Sequence, residues 1–254
     1  MSCKLYANIG VAHENDIEVL KARVISAAQC NADAIVINKT TPIKLIPDEK
    51  KYLSINSKWG ALPYLEVATK SELTVTTTKQ IVEFCEQIGI PIIWSITDIE
   101  SLMFVIEEAE ARHIKIHSDA VDYIEIIRYC SEKELHTIVP IDYFPYVQQY
   151  SKKGKRLIQL YHTAESFPAK VEELQLSKLD VFVTQGFRVG YEGREEGIFP
   201  TMAVAYKGVD YIEKYLGEED SDNGAILQPE QFYDLWQSMN IMFDADQQHP
   251  SSDT

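Results

Sequence analysis

The stretch VGYEGREEGI, residues 189–198, sets a carboxylate and a guanidinium two residues apart, Glu192 and Arg194. Arg194 presents a rigid fork of donors that can grip an anion, or it can close on itself by pairing with Glu192, Glu195 or Glu213. Both uses remain open at this level, and the stretch itself reads as a connection rather than a regular element. Lys115, inside HIKIHS (113–118), is the second cation of interest. A lysine aimed into a protein interior is costly to bury without a partner, so it serves either a site or an internal salt bridge.

Other spacings are less informative. His113 and His117 have the HxxxH interval that binds zinc on a helix. On a strand the same interval spans ~13 Å, too far for one ion, so they are expected as inward-facing strand residues. His162, in LYHTAES, stands at the end of a strand and joins Lys115 and Arg194 as a catalytic candidate. No nucleophile elbow or phosphate-binding P-loop occurs. Cys3, Cys30, Cys85 and Cys130 lack zinc or redox spacing and read as reduced, structural thiols.

What must position these groups is a chain of alternating elements. Strands are expected at 5–9, 34–38, 90–96, 113–118, 136–141, 157–161, 179–184 and 209–213, from short runs rich in apolar and β-branched residues. Between them lie helical periodicities, such as Ile17, Leu20, Val24, Ala27 and Ala28 on one face. Gly89 reads as a helix C-cap and Asp98 as an N-cap. Eight such units imply parallel strands, because each helix returns the chain to the same end. At 254 residues they predict one closed (β/α)8 TIM barrel, an α/β fold, over residues 1–241, and no GxGxxG follows the first strand. Residues 40–77 interrupt the rhythm between the second strand and its helix. With Tyr52, Trp59 and Tyr64 they are expected to fold over the barrel mouth. The end, 242–254, is polar and expected to be disordered.

The charge balance narrows the partners. Twenty-four Lys and Arg against 39 Asp and Glu give −15, so the surface repels nucleic acid and anionic membrane. No leader pattern and no apolar run near ~20 residues is present, so a soluble, cytoplasmic protein is expected.

In such a barrel the site lies at the C-terminal ends of the strands. Asn8, Asn38, Ser95, Lys115, Ser118, Asp142, His162, Glu192, Arg194 and Tyr215 are the residues expected there. This set is rich in hydrogen-bonding groups and poor in metal ligands.

The stretch YANIGVAHENDIEVLKARVISAAQCNADAIVIN, with WGALPYLE, TDIES, IKIHSD, LYHTAESFP, GYEGREEGI and YIEKYLGEEDSDNGAILQPEQF in consistent order, resembles the sialic acid synthase family. The resemblance runs over roughly residues 4–240. It implies a barrel that condenses phosphoenolpyruvate with an N-acetylhexosamine-type sugar in a metal-dependent reaction. It also implies dimerisation, with a C-terminal antifreeze-like domain that this sequence is expected to lack.

Position by position, much of the family's machinery does not carry over. The acidic residue of the family's AEIG motif is Asn8, and the lysine of its VKFQ motif is Val36. Its two metal-binding histidines fall on Arg194 and Tyr215, its phosphate-binding serines on Pro140 and Glu192, and the asparagine of SNYP on Ser166. Lys115, Ser118 and Asp222 match, and Ser95 stands where a threonine is frequent.

Guanidinium has no lone pair to give a metal, and a neutral phenol is a poor ligand. No metal and no cofactor are therefore expected. The expectation is a divergent barrel of carbohydrate (nonulosonic acid) biosynthesis, a pseudoenzyme that keeps a pocket for a sugar-like or other small polar ligand, with a homodimer among the assemblies considered. An active divergent phosphoenolpyruvate-dependent synthase and a non-catalytic regulatory or structural subunit are the alternatives. The ligand-binding set is Asn8, Asn38, Ser95, Lys115, Ser118, His162, Glu192, Arg194, Tyr215 and Asp222.

Overall fold

Strand β1 (Lys4–Asn8) pairs in parallel with Tyr211–Leu216, the last of eight barrel strands, and that pairing closes the sheet on itself. The computed structural model describes residues 3–10, 13–150, 157–217 and 223–247. Around the barrel follow β2 (Ala34–Lys39), β3 (Ile92–Ile96), β4 (His113–Ile116), β5 (His136–Pro140), β6 (Ile158–Thr163), β7 (Val189–Gly193) and β8 (Tyr211–Leu216), each parallel to its neighbour. Helices follow the strands, so the architecture is the (β/α)8 TIM barrel expected from the alternation.

The helices start and stop where local chemistry says they should. Asp16 caps Ile17–Gln29 by accepting from the backbone N–H of Glu18 at 2.9 Å, and Leu20, Val24 and Ala27 bury the inner face. Val75–Ile88 ends at Gly89, whose φ of 81° is open to glycine without strain. Asp98 and Ser101 form a reciprocal capping box at the head of Ile99–Ala109.

Two assignments differ from the sequence-based expectation. Residues 179–184 are not a strand: Ser177–Thr184 is a helix, with Leu179 buried and Phe182 and Val183 packed against the core at i, i+3 and i+4. Their β-branched content masks that spacing. The seventh strand is instead Val189–Gly193, the stretch that reads as a connection. Its two glycines hide it, and all five residues are buried.

The terminal helix, Pro229–Gln247, runs past residue 241, because Met242 and Phe243 still pack on the core. Of the expected disordered tail, 248–254 lie outside the described residues.

Residues 40–77 carry structure of their own. Two short helices (Pro42–Leu45 and Asp48–Lys51), an antiparallel hairpin (Ser54–Ser57 with Gly60–Pro63) and the helix Tyr64–Ser71 follow in turn. They dock on the loops after β1 and β3. Lys58 donates to the Glu14 carbonyl at 3.1 Å, and Thr41 donates to Asp98 at 2.7 Å. At the root, Lys39 donates to Glu72 at 2.7 Å and to the Leu73 carbonyl at 3.3 Å.

Alternation along the strands sends every second side chain to the barrel axis. The lower interior is apolar: Tyr6, Ala34, Val36, Ile93, Ile138, Tyr161 and Tyr211 form one buried cluster. Tyr6 and Tyr211 stack with ring centroids 4.7 Å apart. Gly190 makes room for that plug, since a Cβ on it would fall 1.9 Å from Cε1 of Tyr211. Above this floor the interior turns polar.

Candidate functional site

The strand registers bring Asn38, Ser95 and Lys115 side by side, on β2, β3 and β4. Glu192 pairs with Glu213 across β7 and β8, and Asn8 with Tyr215 across β1 and β8. All of these face the axis, one turn of the pleat above the tyrosine floor.

Lys115 is the centre of the layer. Its ammonium donates to Oε2 of Glu192 and to Oε1 of Glu213, each at 2.6 Å, and lies 4.6 Å from the centroid of the Tyr161 ring. Lys115, Glu192 and Glu213 are each 0% exposed. Asn8 donates its amide to Oε1 of Glu213 at 2.8 Å. On the far side of Glu192, Oε1 accepts from Nε of Arg194 at 2.7 Å and from the Tyr215 hydroxyl at 3.3 Å. Arg194 also donates to Oγ of Ser118 at 3.0 Å and to the Glu165 carbonyl at 3.1 Å. The loop that carries Glu165 closes over this side, with Phe167 against Tyr215 at 4.6 Å between ring centroids.

Two cations thus face two carboxylates in a water-poor layer, where Coulomb terms are large. Burial opposes the charge on Glu192, yet Lys115 and then Arg194 hold its carboxyl well below the usual carboxylate range. Burial raises Glu213 above its ordinary value, and Lys115 only partly offsets that. Burial likewise opposes the charge on Arg194, but Glu192 more than compensates and holds the guanidinium protonated. Burial, followed by Glu192, pushes the Tyr215 phenol well up, so it is a neutral donor.

Behind this layer, on the outer side of β7 and β8, a second buried set holds the Arg194 turn. Lys214 donates to the Glu195 carbonyl at 2.7 Å, Tyr191 donates to Oε2 of Glu195 at 2.8 Å, and Thr201 donates to its Oε1. Gly193 leaves the space this set fills, because a Cβ there would meet Lys214 and Thr201 below 3.0 Å.

The structure therefore brings together Asn8, Asn38, Ser95, Lys115, Ser118, Glu192, Arg194 and Tyr215. Other expected residues lie apart. His162 points outward from β6, where its Nε2 meets the Leu174 carbonyl at 2.7 Å. Asp142 is an exposed partner of Lys178 at 3.8 Å. Ser166 bonds to exposed Glu173 rather than to the mouth. His113 sits at the opposite end of the barrel, stacked on His136 with centroids 5.0 Å apart. Asp222 lies outside the described residues. Glu213 and Tyr161 complete the layer and were not among the expected site residues. Alternation from Tyr215 would have found Glu213, two residues back on the same face.

Three buried polar atoms of this layer have no partner: Oδ1 of Asn38, Oγ of Ser95 and Oε2 of Glu213. Among the described residues no group of three or more His, Cys, Asp and Glu side chains is arranged to hold a metal. No helix among them is long and apolar enough to cross a membrane.

The family model described as "NeuB family" matches residues 23–249. Among characterised relatives, the N,N'-diacetyllegionaminic acid synthase of Legionella pneumophila is 26% identical, over 94% of this chain and 72% of its own length. The N-acetylneuraminate-9-phosphate synthase of Mus musculus is 22% identical, over 94% of this chain and 70% of its own. Among solved structures, the N-acetylneuraminic acid (sialic acid) synthetase of Leptospira borgpetersenii superposes with a TM-score of 0.84. It is 16% identical, covering 100% of this chain and 88% of that one, and at that identity it speaks for the fold alone.

Proposed function

This chain belongs to the NeuB family, and from that premise we propose that it is a barrel of carbohydrate, nonulosonic acid-type biosynthesis that has lost metal-dependent phosphoenolpyruvate condensation and keeps a small polar-ligand pocket. The observation that carries this reading is the engagement of Glu192. Its two oxygens are held by Lys115, Arg194 and Tyr215, at the positions where the family resemblance implies phosphate and metal contacts.

The divalent ion implied by the resemblance does not fit these residues. Arg194 brings a fixed positive charge and no lone pair to the place of a ligand. Tyr215 is held neutral by its surroundings. The phosphate cradle is equally altered: Val36 is part of the apolar floor, and Glu192 is a buried anion. An anionic substrate brought here would face two carboxylates and two cations already paired to them. The unpartnered atoms of Asn38, Ser95 and Glu213 support retention of a pocket, since buried polar groups generally find a partner in protein, water or ligand.

The test is calorimetry and turnover on the whole chain. Manganese and phosphoenolpyruvate, singly and together, are expected to give no heat of binding. Phosphate release with a panel of amino sugars is expected to stay at background. Saturable binding of both, or phosphate release abolished by Lys115→Ala, would overturn the reading in favour of an active divergent synthase.

A further inference from the structure

His162 faces away from the barrel axis, yet it holds a loop that reaches the mouth. It is 3% exposed, and its Nε2 meets the Leu174 carbonyl at 2.7 Å. A carbonyl can only accept, so Nε2 carries the proton and Nδ1 keeps a bare lone pair. That Nδ1 is buried and has no partner.

Leu174 belongs to a loop, residues 164–176, that leaves β6 and crosses the Arg194 side of the mouth. The Glu165 carbonyl accepts from Arg194 at 3.1 Å, and the Ala169 N–H donates to the Arg194 carbonyl at 2.9 Å. The Phe167 ring lies against Tyr215. Apolar burial adds little to these ties. Ala164, Ala169 and Leu174 form a small cluster apart from the main core, while Glu165, Phe167, Lys170 and Val171 are exposed. Segments with so few buried contacts open at lower free energy than a core does. The bonds to Arg194 involve a permanent cation and a backbone amide. Of the ties named, His162 is the one whose proton count can change near neutral pH.

We propose that His162 is a proton-sensitive tether: neutral, it holds the 164–176 loop down over the Arg194 side of the mouth, and protonated, it lets the loop rise. A second proton can go only to Nδ1, which is sealed and unpartnered. An imidazolium there would bury an unpaired charged donor, at a cost greater than one bond to a carbonyl returns. The charged ring gains water only by leaving its place behind Leu174, so charge and closure oppose each other.

The groups that face the ring do not remove this conflict. Lys178, on the helix Ser177–Thr184, opposes a further positive charge, and Asp142, after β5, favours one. These two pair with each other at 3.8 Å. On β7 the neighbour is Tyr191, whose hydroxyl is donated to Glu195. Burial lowers the pKa of the ring below its ordinary 6.5, against an opposite pull from the Leu174 bond. The closed loop is therefore fully favoured above pH 6.5 and loses ground as pH falls below it.

Hydrogen exchange on the whole chain tests this at the amides of residues 164–167 and 169–176. The loop is read without any ligand, so the outcome does not depend on what the pocket holds. After correction for intrinsic amide chemistry, exchange there should quicken by up to about tenfold between about pH 7.5 and about 5.5. The amides of β4 should stay protected throughout. His162→Gln keeps a donor at the reach of Nε2 and takes up no proton, so its loop should stay closed and lose the pH dependence. His162→Phe removes the tether, and its loop should exchange about 3- to 10-fold faster at every pH. Circular dichroism shows whether each variant folds; should His162→Phe fail, the glutamine variant decides. Loop protection independent of pH in the unaltered chain overturns the inference. So does a pH dependence that survives in His162→Gln, since another group would then be responsible. A folded His162→Phe whose loop stays as closed as before overturns it as well.

Discussion

Arg194 and Tyr215 meet on a single atom, Oε1 of Glu192, at 2.7 and 3.3 Å. One comes from the turn after β7 and the other from the end of β8, so this oxygen ties two strand ends together at the mouth. Its sister oxygen accepts from Lys115 on β4, across the barrel. The carboxylate is therefore a structural keystone as well as a filler of the site, and much of the protein's behaviour should follow from it.

Glu192→Gln is expected to cost about 3–5 kcal/mol at neutral pH, because it leaves two buried cations facing one remaining carboxylate. Glu213→Gln should cost less, because one Glu213 oxygen has no partner whereas both oxygens of Glu192 accept from cations. Urea titrations of the two variants check the order. An equal cost for both would contradict the charge assignment.

The two glutamates also pull the pH dependence in opposite directions. Glu192 has a depressed folded pKa, so its contribution is present above the ordinary value of 4.5 and lost as pH falls below it. Glu213 has a raised folded pKa, so its contribution is complete below 4.5 and lost as pH rises through the folded value. Glu213→Gln should flatten the decline that sets in above pH 4.5, and Glu192→Gln the decline below it. Melting temperatures across the pH range of each variant read this directly.

His13 provides a separate acid-side prediction. It is 2% exposed, its Nδ1 accepts from the Asn15 backbone at 3.0 Å, and burial, then Arg23, lower its pKa from 6.5 to about 4. The folded state thus refuses a proton that the unfolded chain takes up. Stability from this group is intact above pH 6.5 and declines towards about 4, by up to about 1.4 kcal/mol per pH unit. His13→Asn should remove that slope, and a slope unchanged in the variant would refute the assignment.

Arg194→Ala should loosen the loop over the mouth more than it destabilises the fold, because Glu192 keeps Lys115. The substitution removes the donor to the Glu165 carbonyl, while the backbone bond from the Ala169 N–H to the Arg194 carbonyl, at 2.9 Å, survives. Hydrogen exchange is expected to quicken by about tenfold at residues 165–167 and to stay unchanged in β4 and β5, for a lost charge-assisted bond of about 1.5 kcal/mol.

Glu72→Ala should release the 40–77 insertion at its root. Lys39, 8% exposed and 4.6 Å from the Phe104 ring centroid, would lose its carboxylate, and Thr40 would lose both bonds to it. Limited proteolysis should then nick 40–77 well before the barrel, with a global cost of about 2 kcal/mol.

The mouth was legible in the sequence wherever a strand was. Period-two alternation in buried parallel strands puts Asn8, Asn38, Ser95, Lys115 and Tyr215 on the axis once the strand ends are known. His162 shows how sharp that dependence is: β6 runs to Thr163, so Tyr161 turns in and His162 turns out. Strand β7 was hidden because Gly190 and Gly193 read as turn residues. Both glycines answer to tertiary neighbours, Tyr211 on one side and Lys214 with Thr201 on the other, which no local pattern records. The pairing of Lys115 with Glu192 and Glu213 spans 77 and 98 residues of chain and follows only from closure of the barrel.

The stacked tyrosines under the charged layer make the interior a vessel with a sealed base. Exchange with the layer is thereby confined to the mouth, where Phe167 packs on Tyr215 with ring centroids 4.6 Å apart. Arrival and escape then share one barrier, so a change in that threshold alters how fast an occupant exchanges while leaving its affinity in place.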